Sequence, residues 1–70
     1  MEFLNSNLVR ISQEGMYDIF VVKRHITCFV LMDAEHRLRI WTEEHSPYEL
    51  EYETLEEAKT ALETLIQWLA

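Results

Sequence analysis

The sequence predicts an α+β fold: an antiparallel meander of four to five strands followed by one C-terminal helix packed on one face. Three observations predict it. As far as about residue 53 the apolar residues alternate or gather in short blocks, the pattern of strands. Beyond Thr54 they recur every three to four residues, the period of a helix. With 70 residues, one Gly and one Pro, the chain has room for one small domain over residues 1–70 and no linker.

Leu8-Val9-Arg10-Ile11 alternates weakly and runs into Ser12-Gln13-Glu14-Gly15, a turn whose Gly suits a positive φ. Met16 to Lys23 is rich in β-branched and aromatic residues and reads as the next strand. Lys23-Arg24-His25 lacks Gly and Pro, so it is either a tight polar turn or a bend within one long strand. Ile26 to Met32 is a further strand, closed by Asp33-Ala34-Glu35-His36 as a type I turn with Asp at its first position. From Arg37 to Thr42, Leu38 and Ile40 take one face while Arg37, Arg39 and Trp41 take the other. Glu43-Glu44-His45-Ser46-Pro47 is the longest polar break. Tyr48, Leu50 and Tyr52 then alternate with Glu49, Glu51 and Glu53, the cleanest period-two signal in the chain.

The final segment is a helix of about fifteen residues. Thr54 is placed as N-cap with Glu57 three positions on, a capping box, and Glu56 and Glu57 suit the positive end of the helix dipole. Leu55, Ala58, Leu62, Leu65, Ile66 and Leu69 form one apolar stripe, with Ala61 and Trp68 on its flank.

Both central strands are apolar on both sides. One side of residues 16–23 carries Tyr17, Ile19 and Val21, the other Met16, Phe20 and Val22. Residues 26–32 repeat the pattern, with Ile26, Cys28, Val30 and Met32 against Phe29 and Leu31. Such strands belong in a sheet covered on both faces, and one helix covers one. A hydrophobic content of 49% exceeds what that helix can bury. The second face, around Phe20, Phe29 and Trp41, is therefore expected to be covered in one of three ways: by curling of the sheet into a small barrel, by a second copy or by another protein. A homodimer is the favoured solution.

Charge is segregated along the chain. Residues 1–42 hold five basic and five acidic side chains, whereas residues 43–70 hold eight glutamates against Lys59, which accounts for the whole formal charge of −7. That balance argues against binding a phosphate backbone, which needs clustered cations.

Catalytic patterns are poor, and no enzymatic activity is expected. None of Ser6, Ser12 and Ser46 stands in a GxSxG elbow, and one Gly cannot build a phosphate loop. Cys28, the only cysteine, lies in an apolar strand, where a thiol behaves as a small hydrophobe, and it excludes an intramolecular disulfide. A meander brings His25 and His45 to one end near Glu43 and Glu44, and leaves His36 at the other with Glu14; no short-range spacing makes either group a metal site. No cofactor is expected. The absence of a basic leader or a long apolar run points to a cytoplasmic protein without a membrane segment.

The expected function is that of a small acidic protein-interaction module, homodimeric, that binds or inhibits another protein. Its contact elements are Phe20, Phe29 and Trp41 together with an acidic rim of Glu49, Glu51 and Glu53. Two alternatives use the charged residues instead. Glu49, Glu51 and Glu53, about 6.6 Å apart along one strand face, resemble a phosphate backbone and suit a phage-type nucleic-acid mimic that blocks a DNA- or RNA-binding enzyme. Arg37, Arg39 and Trp41 suit weak binding of single-stranded nucleic acid by charge and stacking.

Overall fold

The strand-then-helix order holds in the computed structural model, which describes residues 1–13, 17–43 and 45–70. Among the described residues six strands form two antiparallel three-stranded sheets, followed by one helix. The first sheet contains β1 (Glu2–Phe3), β2 (Leu8–Gln13) and β3 (Tyr17–Val22), in that spatial order. The second contains β4 (Ile26–Met32), β5 (Arg37–Thr42) and β6 (His45–Glu51), again in order. The helix α1 spans Leu55–Leu69. The fold is α+β, with six strands where four to five were expected.

The extra strand is β1, a two-residue segment that pairs Glu2 with Arg10 and Phe3 with Val9. Two residues carry no periodicity, which is why the sequence pattern is silent there. Of the expected turn Ser12-Gln13-Glu14-Gly15, Ser12 and Gln13 belong instead to β2, paired with Asp18 and Tyr17, while Glu14 and Gly15 lie outside the described residues. Lys23–His25 forms one 3₁₀ turn, and that turn divides what would otherwise be a continuous meander into two sheets. Asp33–Glu35 forms a second, ended by His36 at φ 53°, a left-handed conformation that His tolerates better than most residues. The polar break at 43–47 is shorter than expected. β6 already begins at His45 and includes Pro47, which an edge strand accepts because its missing N–H need not face a neighbour.

The division into two sheets changes where the apolar surplus goes. Val9 and Ile11 of β2 and Val21 of β3 face Leu38 and Ile40 of β5 and Tyr48 and Leu50 of β6 in one buried cluster, which Leu65 of the helix closes. Part of the surface that a single sheet would have left exposed is thus buried between sheets. The helix packs over β5, β4 and the Asp33–Glu35 turn. Thr54 caps it, its hydroxyl oxygen accepting from the Glu57 N–H at 3.1 Å. Trp68 ties its last turn to the first strand, donating from Nε1 to the Asn5 carbonyl at 2.7 Å and packing on Phe3 with ring centroids 5.0 Å apart.

Candidate interaction surface

Strand alternation sets which side chains remain outside. In β5, Leu38 and Ile40 are buried, so Arg37, Arg39 and Trp41 project from the opposite, outer face. The register puts Cys28 beside Trp41, Val30 beside Arg39 and Met32 beside Arg37 on that face. Glu49 and Glu51 of β6 complete it, opposite Arg39 and Arg37. The outer face of the second sheet thus has an apolar column on β4 and an acidic column on β6, with the basic residues between.

Those charges are joined rather than parallel. Arg39 pairs with Glu49 and lays its guanidinium 5.7 Å from the Trp41 ring centroid. Arg37 donates to Glu49 at 3.2 Å and reaches Glu51 at 2.7 Å, with Glu35 3.9 Å away. Directly opposed charges of opposite sign are the favourable cross-strand case. Glu49, Glu51 and Glu53 also line one open groove of about 520 Å³, with Ser12 and Gln13 across it. The three rim glutamates are therefore brought together, two of them already carrying an arginine. Tyr52, between them in sequence, is half-buried, and burial raises its phenol above the usual value of 10.0.

The three apolar contact residues are not brought together. Phe29 pairs with buried Ile40 and packs against the core from the inner face. Trp41 is half-buried on the outer face of the second sheet. Phe20 is 57% exposed on the outer face of the first sheet, beside Arg10, which in turn pairs with Glu2. Of the two parities that strand alternation leaves open on β4, Phe29 or Val30 outward, it is Val30 that is outside, 44% exposed, together with Cys28. Their signal was present: they share the parity of Trp41 once the Phe29–Ile40 pairing is known.

The histidines fall as a meander requires. The Glu43 N–H donates to the His25 carbonyl and His45 pairs with Thr42, which places both at one end of the sheet. Glu14 and Glu44 lie outside the described residues. Among the described residues no three His, Cys, Asp or Glu side chains converge as a metal site, and no helix is long and apolar enough to cross a membrane. No family model, curated protein or solved structure matches this chain, so its functional reading rests on the geometry alone.

Proposed function

We propose that this protein is a non-enzymatic protein-interaction module that works as a homodimer and binds another protein. One observation carries the reading: the helix stripe apart from Ile66 and the inner faces of both sheets are spent on the core, while Phe20, Cys28, Val30 and half of Trp41 stay on the outside. Cys28, Val30 and Trp41 share the outer face of the second sheet, the kind of exposed apolar patch an association surface needs, while Phe20 stands apart on the outer face of the first. The arginine–glutamate ladder supports this reading over the two charge-based alternatives. Arg37 and Arg39 are occupied by carboxylates, and two of the three glutamates of the supposed phosphate mimic are occupied by guanidinium groups.

Sedimentation equilibrium tests the reading. The expected result at about 100 µM is a mass twice the 8.4 kDa of the chain, with the dimer fraction rising with concentration. A monomer throughout that range overturns the homodimer. Replacing Phe20 and Trp41 together by Asp is expected to abolish capture of the partner protein while leaving the far-ultraviolet circular dichroism unchanged.

A further inference from the structure

The homodimer of the preceding section requires a contact, and we propose that two copies join through the free edge of β4, antiparallel, about a two-fold axis at Val30. The inference rests on that homodimer reading and specifies its geometry.

β4 is an edge strand whose only backbone partner among the described residues is β5. The direction of its free peptide groups follows from the neighbouring ladder. The Tyr52 N–H donates to the His36 carbonyl at 3.0 Å, so that peptide plane turns its carbonyl towards β6 and the Arg37 N–H towards β4. Along β5 the odd residues therefore bond to β4 and the even residues to β6. Arg37 and Arg39 pair with Met32 and Val30, which directs the peptide groups of those two β4 residues inward. The N–H and C=O groups of Phe29 and Leu31 consequently face the open side. An antiparallel second β4 centred on Val30 sets Phe29 opposite Leu31 and Leu31 opposite Phe29. Each free donor then meets a free acceptor, and Val30 faces Val30 at the wide, non-hydrogen-bonded position between them.

Several features single out a second copy as the occupant of this edge. Past the register shift between Ile26 and Cys28, the stretch Cys-Phe-Val-Leu-Met that would pair contains no charge, no proline and no bulge, the devices that usually guard an edge strand. The other edges have them: Asp18 on β3, Glu2 on β1, and Pro47, Glu49 and Glu51 on β6. Charge points the same way. The acidic strand lies across β5 from β4, so pairing at β4 keeps the two acidic edges five strand spacings apart, about 24 Å. The outer column of Cys28, Val30 and Met32 also meets its own copy in reverse, joining two half-columns into one apolar stripe.

The register makes a testable distinction between two thiols. At the wide position the Val30 Cα atoms approach to about 4.5 Å, within reach of a disulfide. Cys28 faces Met32 of the second copy, which leaves the two Cys28 residues four positions apart, about 13 Å. Under mild oxidation, Val30→Cys in a Cys28→Ser background is expected to crosslink at least tenfold faster than the wild-type chain with its own Cys28. Equal rates, or faster crosslinking of the wild type, overturn the pairing. Amide hydrogen exchange on the unmodified protein is a second measurement that needs no variant. Protection of the Phe29 and Leu31 amides should rise with protein concentration. A dimer in which those amides stay unprotected, and which Phe20→Asp dissolves, overturns strand pairing while the interaction module stands. A monomer at about 100 µM overturns both.

Discussion

Trp68 shows how much one side chain holds in a chain this short. Its indole N–H bonds the Asn5 carbonyl, its ring meets Phe3 at an interplanar angle of 46°, and the Lys23 ammonium sits 5.6 Å from the ring centroid. The last turn of the helix is thus fastened to the first strand and to the 3₁₀ turn between the sheets. Trp68→Phe keeps most of the apolar contact and gives up the bond to the exposed Asn5 carbonyl, which water then takes, at an expected loss of about 1 kcal/mol. Trp68→Ala removes the contact as well; because the side chain is only half-buried, about 2–3 kcal/mol is expected, the low end for a large-to-small change. Urea unfolding followed by circular dichroism measures both. Equal losses for the two variants would show that the indole N–H does the work and the ring does not. Helical periodicity put Trp68 on the flank of the apolar stripe, and that is where it sits. Its partners were not readable, because they depend on a two-residue strand with no pattern of its own.

At the scale of elements, the β5–β6 hairpin decides what the charged residues do. Period-two spacing placed Arg37, Arg39 and Trp41 on one face of one strand and Glu49 and Glu51 on one face of another. That those two faces coincide depends on the register, which a shorter connection than the polar run suggested has set at Arg39 with Glu49 and Arg37 with Glu51. Rows that look like separate binding surfaces along the chain become one ladder in the sheet. The β4–β5 register in turn sends Phe29 inward with Ile40 and leaves Cys28 and Val30 outside, so the helix and most strands were legible while the composition of the outer face was not. A double-mutant cycle quantifies the ladder. For Arg39→Gln and Glu49→Gln, both about one-third exposed, the coupling expected is about 0.5–1 kcal/mol, reduced as salt is raised. For Arg37 with the more exposed Glu51 the coupling is expected near zero. A coupling for Arg39 and Glu49 indistinguishable from zero at low salt would mean that the pair is decoration and the register is held by Leu38 and Leu50 alone.

For the whole molecule, the distribution of charge governs how copies meet. The formal charge of −7 lies in the chain from residue 43 onward, from Glu43 and Glu44 ahead of β6 through β6 to the helix, while β4 carries none. Two copies joined at β4 hold their acidic edges about 24 Å apart, a distance that salt screens fully or hardly at all depending on its concentration. The screening length is about 30 Å at 10 mM salt and about 8 Å at 150 mM. Repulsion between the acidic edges is therefore felt at the lower concentration and lost at the higher. The dimer should tighten several-fold as sodium chloride rises from about 10 to 150 mM and change little beyond, since the contact itself is apolar and backbone-bonded. A phosphate mimic seated on a basic enzyme has the opposite slope, weakening steadily as salt is raised, because attraction between unlike charges is what screening removes. Sedimentation or fluorescence anisotropy across that salt series reads the sign directly. Association that weakens between 10 and 150 mM would place the acidic residues inside the contact and exclude the β4 edge from it.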